Sequence, residues 1–166
     1  MRTTMAVLAA GASALLLLAP AAGASTKPPA ERTTFVLHAE NKDLLRIDRN
    51  QAGPDNTDLV HRVQTLSRKR GGPVIGDSYS QSEIVAIDTA KAVDVRHVEI
   101  QASLPDGWIF IRGMSILPIG TVPQPGWNAT YAIVGGTGTY AGARGSQELT
   151  LLDDGVTFEV RYSFRR

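Results

Sequence analysis

Residues 153–164, DDGVTFEVRYSF, decide the class of fold to which the chain belongs. From Val156 to Phe164 an apolar side chain occupies every second position, and polar residues stand between them. A period of two places these two sets on opposite faces of a β-strand. The Asp-Asp-Gly before the strand is typical of a hairpin turn, so the sequence predicts an antiparallel partner strand immediately upstream.

Strand and turn signals alternate in the same way back to Thr33, and no long segment has the periodicity and caps of a helix. The predicted strands are 33–40, 82–88, 93–104, 108–117, 128–134, 144–152 and 156–164, with 44–48 as a possible eighth. Evenly spaced strands joined by short turns predict an all-β fold, a closed antiparallel eight-stranded (calycin-like) β-barrel without exposed edges. The interior of such a barrel is wide enough for one small ligand.

Two of the predicted strands depart from simple alternation. Residues 108–111, WIFI, are apolar in succession, which predicts that one face fills the barrel and the other meets a neighbouring subunit. In 93–104 the apolar positions shift by one residue near His97, which predicts a β-bulge at that point.

The N-terminal segment has the organisation of a secretory signal peptide, which we assign to residues 1–24. Arg2 precedes an uncharged apolar run from Met5 to Ala19, and small residues follow at 22–24. The run is shorter than the ~20 residues that a membrane-spanning helix needs. We therefore expect a secreted, extracellular chain with no membrane association after processing, a short tether at 25–32 and one barrel domain at 33–166.

Composition excludes several classes of function. The chain has 17 basic and 16 acidic residues, and loss of Arg2 with the signal peptide would balance them. Without a basic surplus, neither nucleic acid nor an anionic membrane is an expected partner. The absence of cysteine excludes disulfides and thiolate chemistry, and the three histidines share no ligand spacing, so we expect no metal site.

Residues 131–145, YAIVGGTGTYAGARG, resemble the signature of plant dirigent proteins and a related segment of allene oxide cyclases. The positions that match are Gly135, Gly136, Thr137, Gly138, Tyr140, Ala143, Arg144 and Gly145. Weaker similarity at 35–38 and 76–77 extends the likeness over about residues 33–164. Because a strand and not a helix follows the glycines, they indicate a tight turn rather than a phosphate-binding loop. The chain thus resembles a secreted microbial-type member of the dirigent and allene oxide cyclase-like barrel superfamily.

The resemblance implies a barrel that binds a small apolar or phenolic metabolite and directs its cyclisation or stereoselective coupling. Such a protein would be a cofactor-free isomerase or cyclase that holds one reactive conformer and excludes water, and both families imply a homotrimer. Two alternatives stay open: a non-catalytic, lipocalin-like carrier of a similar ligand, and a structural protein whose barrel is filled.

The resemblance also implies two catalytic residues, Glu40 and Arg144. Arg144 corresponds to the arginine of the dirigent Ala-Arg-Gly segment, and its donors suit an anionic ligand oxygen. Glu40 corresponds to the acid of the first strand, but the family's acid directly follows the histidine. Here Ala39 intervenes, and a shift of one residue faces the opposite side of a strand.

Three placements of Glu40 therefore remain. A bulge between Leu37 and Glu40 would turn the carboxyl inward. In another register His38 and Glu40 would both point inward. In the third, Phe35, Leu37 and Ala39 fill the interior and Glu40 lies outside.

The ligand-binding candidates are His38, Asp77, Tyr79, Phe110 and Tyr131. The aromatic residues among them would form walls of the pocket or simply core. Asp77 and Tyr79 would add polar contacts or lie on the surface.

Overall fold

A computed structural model describes residues 31–49 and 53–166 of the chain. The predicted signal peptide, and the predicted tether up to residue 30, lie outside the described residues. No helix within the described residues is long and apolar enough to cross a bilayer. The strands are β1 (Thr33–Ile47), β2 (Leu59–Ser67), β3 (Val74–Asp88), β4 (Val93–Leu104), β5 (Gly107–Pro118), β6 (Asn128–Gly136), β7 (Arg144–Leu151) and β8 (Thr157–Arg165), with a 3-10 turn at Gly138–Tyr140.

Each strand pairs antiparallel with the next one in sequence, and β8 pairs with β1. The sheet is therefore a closed meander of eight strands. This confirms the predicted all-β, eight-stranded antiparallel barrel.

The identity of the eighth strand differs from the prediction. Residues 44–48 continue β1, whereas β2 was not predicted at all. Buried or half-buried Arg62 and Gln64 occupy inward positions of β2, next to Leu66 on the same face. Because polar residues stand where apolar ones were expected, β2 lacks the alternation by which a strand is identified.

The bulge predicted near His97 is wrong. β4 pairs with β5 without interruption from Val93 to Leu104, and the register shift lies on the facing strand β3, between Ile84 and Ala86. The apparent change of phase in β4 has another cause. Asp94 and Arg96 are buried on its inner face as an ion pair, so the alternation of inward and outward residues is intact.

One end of the barrel interior is closed by an apolar core. Large side chains that are almost fully buried there include Leu37, Leu66, Ile109, Ile111, Ile133, Tyr162 and Phe164. The Phe35 ring stacks on Tyr162 with 5.0 Å between centroids and meets Phe164 edge-on at 6.1 Å. Burial raises the pKa of Tyr162 to about 12. Each large apolar side chain buried in this way contributes ~1.5–3 kcal/mol, so this end anchors the fold.

The glycine segment at the end of β6, residues 135–138, packs against the turn between β4 and β5. The Thr137 N–H donates to the Trp108 carbonyl at 2.9 Å, and the Thr139 N–H donates to the Asp106 carbonyl at 2.9 Å. A Cβ at Gly136 would lie 2.5 Å from the Tyr140 carbonyl oxygen and 2.6 Å from that of Trp108. Only glycine permits this approach of backbone to backbone. The segment is a tight turn, as predicted, and it closes onto the turn between β4 and β5.

The two adjacent glycines should respond differently to alanine. Gly136→Ala forces backbone apart, so we expect it to lower the free energy of unfolding by ~1–3 kcal/mol. Gly135→Ala is the matched control, since the nearest atom to its Cβ is Arg144 Nη1 at 3.5 Å, an ordinary contact. Urea denaturation followed by circular dichroism measures both. Equal stability of the two variants would contradict the packing described for Gly136.

Candidate functional site

The end of the barrel opposite the apolar core opens as a cavity, here called the mouth cavity. Its inner part has a volume of about 60 Å³ and adjoins an outer part of about 290 Å³. Val60, Ser82, Arg96 and Val122 line both parts. Pockets for small molecules begin at roughly 300 Å³, and the outer part alone is close to that volume.

The inner part of the mouth cavity has an apolar and a polar side. Its apolar lining is Val98, Ile100, Leu117, Trp127, Leu149 and Phe158. Its polar lining is Arg62, Gln64, Ser80, Ser82, Arg96, Ser115 and Tyr131. Four of the polar side chains come from β2 and β3, and Arg96, Ser115 and Tyr131 add one each from β4, β5 and β6, so hydrogen-bond donors line an otherwise apolar space.

Arg96 is neutralised by a carboxylate of its own strand. Its Nε and Nη2 donate to the two oxygens of Asp94 at 2.7 and 2.8 Å, and both residues are buried. Nη2 also donates to the Thr121 carbonyl at 2.9 Å, and the Gly120 N–H donates to Asp94 Oδ2 at 3.2 Å. The ion pair thus holds the loop that follows β5 against the rim of the mouth cavity, and it contributes no net charge.

Arg62 has no such partner. Its Nε is buried and has no hydrogen-bond acceptor, and its guanidinium forms no ion pair in the part of the chain that the structure describes. The Phe158 ring lies beneath it, 5.3 Å from Cζ to centroid. Burial lowers the pKa of Arg62, Tyr131 acts in the opposite direction, and Arg46 and Arg96 lower it further. Arginine nevertheless stays protonated in proteins, so the inner part of the cavity is lined by one positive charge without an ion-pair partner.

Tyr131 crosses the inner part of the cavity, where β5 leaves room for its ring at Gly113. A Cβ at Gly113 would collide with Tyr131 Cδ1. Burial raises the pKa of the phenol, and the neighbouring Ser115 side chain partly offsets this effect. A neutral hydroxyl therefore belongs to the lining of the cavity.

β1 follows the third of the placements considered for Glu40. Leu37 and Ala39 are buried inside the barrel, and Glu40 is exposed on the outer wall. The register shift of β1 falls between Asn41 and Asp43, after Glu40, so it cannot turn that carboxyl inward. The catalytic role that the resemblance implied for Glu40 required an inward carboxyl, and this position does not provide one. His38 lies on the same outer face of β1.

The other sequence-derived candidates divide between the two faces of the wall. Tyr131 lines the mouth cavity. Arg144 is exposed at the start of β7, where its Nη1 donates to the Ala143 carbonyl at 2.8 Å. Asp77, Tyr79 and Phe110 alternate with inward residues and so face outward. For Arg144 and Phe110 the expected pocket position is corrected to the outer wall, whereas Asp77 and Tyr79 occupy the surface position that the sequence had left open.

Sequence reasoning missed the charged residues that do face the cavity. Arg62 and Gln64, and likewise Asp94 and Arg96, are separated by two positions on one strand face. Polar pairs at this spacing, flanked by apolar residues of the same parity, were the available signal. No group of three potential metal-ligating side chains exists among residues 31–49 and 53–166.

No family model matches the sequence, and no curated protein does. Solved structures do match. A pyocyanin demethylase has a TM-score of 0.64 and 21% identity, over 79% of this chain and 99% of that one. The Diels Alderase AbmU from Streptomyces koyangensis has a TM-score of 0.63 and 13% identity, over 84% of this chain and 70% of that one.

A dirigent protein, the pterocarpan synthase GePTS1, has a TM-score of 0.56 and 13% identity, over 82% of this chain and 86% of that one. At such identities the likeness concerns the fold. The chain therefore has the barrel fold of dirigent-like proteins, as the resemblance of residues 131–145 predicted.

Replacing each of the two cavity arginines by methionine should change the free energy of unfolding differently. Arg96→Met leaves the buried Asp94 carboxylate without its partner, so we expect a loss of ~3–5 kcal/mol in the free energy of unfolding. Arg62→Met, the matched control, removes a charge that no group of the fold compensates, so stability should stay equal or rise. Urea denaturation at neutral pH measures both. Equal losses would show that Arg62 also has a structural partner.

Proposed function

We propose that the protein binds a small apolar or phenolic metabolite in the mouth cavity and directs its cyclisation or stereoselective coupling without a cofactor. The observation that carries this proposal is the division of the interior, with an apolar core at one end and a cavity of mixed polarity at the other. A concave, mainly apolar space with a few convergent polar groups is the usual form of a small-molecule site.

The cavity residues offer two contributions to such a reaction. Val98, Leu149 and Phe158 would restrict the ligand to few conformers and keep water away from it. The Arg62 guanidinium and the Tyr131 hydroxyl are donors fixed before the ligand arrives, so they would stabilise negative charge that develops on a ligand oxygen. Neither contribution requires an acid inside the barrel.

Proteins of similar fold lend limited support. Those named above include a Diels Alderase and a pterocarpan synthase, both named for the formation of small molecules. Because one fold hosts many functions, the support for a role in cyclisation or coupling comes mainly from the cavity itself.

A carrier without catalytic activity is the second candidate, and a specific observation favours it. Glu40 lies outside, and the interior carboxylate of Asp94 is engaged by Arg96 and by the Gly120 N–H. An acid free to transfer protons is therefore lacking among the described residues of the inner part of the cavity, and we do not propose acid-assisted cyclisation. Mass spectrometry after prolonged incubation discriminates the two functions, because a carrier returns its ligand unchanged.

Ligand binding in the mouth cavity can be observed through one tryptophan. The chain has two, and Trp127 lines the cavity whereas Trp108 stacks on Tyr79 on the outer wall. In a Trp108→Phe background, we expect small apolar aromatic molecules to change Trp127 fluorescence saturably. Ser82→Phe should abolish the change by filling the cavity, and Ser82→Thr should preserve it. A chain that responds to no member of a panel of phenyl-substituted acids, amides and phenols would favour a filled, structural barrel.

Export and self-association are further parts of the proposal. Apolar side chains lie on both sides of Arg112 on the outward face of β5: Met114 is 52% and Ile116 62% exposed, and Trp108 is also accessible. A second and third copy would cover these apolar side chains. N-terminal sequencing of protein recovered from the medium of a secreting host should give a first residue near Ser25. Light scattering of the same protein should give the mass of a trimer, and Ile116→Lys should lower that mass. Monomeric material that retains Met1 would contradict both parts.

A further inference from the structure

We infer that Arg62 makes the mouth cavity selective for a molecule that carries an ionised carboxylate on an apolar frame. The inference rests on the proposed function, since it takes the cavity to be a ligand site, and it adds the chemical class of the ligand.

The first argument is the unmet hydrogen-bonding capacity of Arg62. A guanidinium presents five donors and no acceptor, yet neither an acceptor for Nε nor an ion pair is found for this one among the described residues. The Phe158 ring, 5.3 Å from Cζ, offers a cation–π contact but accepts none of the donors conventionally. An anion from outside the chain would complete the site.

The second argument is that the surrounding strands supply no acid to Arg62. Its same-face neighbours on β2 are Val60 and Gln64, and its cross-strand partners are Leu44 and Ser80. Gln64 is itself engaged, since its Nε2 donates to Asn41 Oδ1 at 3.0 Å. No acidic residue lies at any of these adjoining positions.

The acids farther away either bind other groups of the chain or line only the outer part of the cavity. Both oxygens of Asp94 bind Arg96. Asp48 and Asp58 border the outer part of the mouth cavity but not the inner part that Arg62 lines. Asp58 accepts from the Arg49 N–H at 3.3 Å and from the Asp55 N–H at 3.1 Å. The inner cavity is therefore lined by two arginines and only one of them is neutralised.

The third argument concerns which anion suits the site. A carboxylate is ionised at neutral pH and matches the planar fork of a guanidinium. A phenol is neutral at that pH, and the burial that raises the pKa of Tyr131 would act in the same direction on a ligand phenol. The apolar lining formed by Val98, Trp127, Leu149 and Phe158 would contact the remainder of the molecule.

The experiment compares two probes of the same size and frame, phenylbutyrate and its uncharged amide phenylbutyramide. Isothermal titration calorimetry at neutral pH and physiological salt gives both affinities for the full chain. A hydrogen bond between Arg62 and the ligand carboxylate should make the affinity for the acid at least about tenfold higher than that for the amide. Arg62→Met should lower the affinity for the acid to that of the amide, and should leave binding of the amide within about threefold. Arg62→Lys should retain part of the preference.

Arg161→Met serves as a control for net charge, because Arg161 lies on the outer wall of β8, and it should not alter either affinity. Amide binding reports that the variants are folded. If the acid and the amide bind equally, or if Arg62→Met leaves acid binding unchanged, the carboxylate inference is overturned while the proposed ligand site stands. If neither probe binds and the purified protein contains no other small molecule, both the inference and the proposed function fail.

Discussion

Closure of the barrel between β8 and β1 is the constraint on which the other features depend. An open sheet can shift one strand against its neighbour at an edge, whereas a closed sheet of eight strands has no edge at which a shift could be absorbed. The pairing of Phe35 with Tyr162 and of Leu37 with Val160 therefore fixes which residues of β1 face inward. Because Leu37, Val160 and Tyr162 are buried and Phe35 is half-buried, moving Glu40 into the interior would expose these side chains together. The position of one carboxyl is thus set by the packing of the whole apolar end.

Closure of the barrel also fixes which residues face inward at the polar end, where the buried side chains are charged rather than apolar. Inward positions of β4 hold Asp94 and Arg96, whose burial costs several kcal/mol per ion before their mutual attraction is counted. Two hydrogen bonds between them, and two more to the loop after β5, offset that cost and fix the loop over the rim. Arg62 has different surroundings: its guanidinium lies over the Phe158 ring, but its Nε has no hydrogen-bond acceptor. The polar end therefore contains one arginine that supports the structure and one that the structure leaves available.

The sequence was informative where inward side chains are apolar and misleading where they are not. β8 alternates valine, tyrosine and phenylalanine with polar residues, and its type and turn were predicted correctly. β2 was missed, and the first half of β3 with it, because Arg62, Gln64, Ser78 and Ser80 occupy their inward positions. The false bulge in β4 has the same origin. Strand prediction therefore failed along the strands whose inward side chains are polar, because a polar residue at an inward position removes the apolar alternation.

The glycine segment was a reliable indication of fold and a poor indication of the site. Its glycines are required by backbone packing at Gly136, a steric condition that any ligand chemistry leaves unchanged. Arg144, in the same segment, has no such steric requirement, and it is exposed here. Similarity in a structural turn therefore predicts the barrel fold but not which residues line its interior.

The difference between Arg62 and Arg96 can be traced to the residue two positions away on the same strand face. Arg96 has Asp94 at that position, and Arg62 has Val60 and Gln64 on either side. A single acidic substitution at either neighbour would offer Arg62 an ion pair, and cross-strand positions 44 and 80 would allow the same. The fold thus has four places for a neutralising carboxylate and uses none of them. Since a desolvated, unpaired charge weakens the folded state, its retention in a cavity open to solvent is most simply explained by a partner that comes from outside the chain.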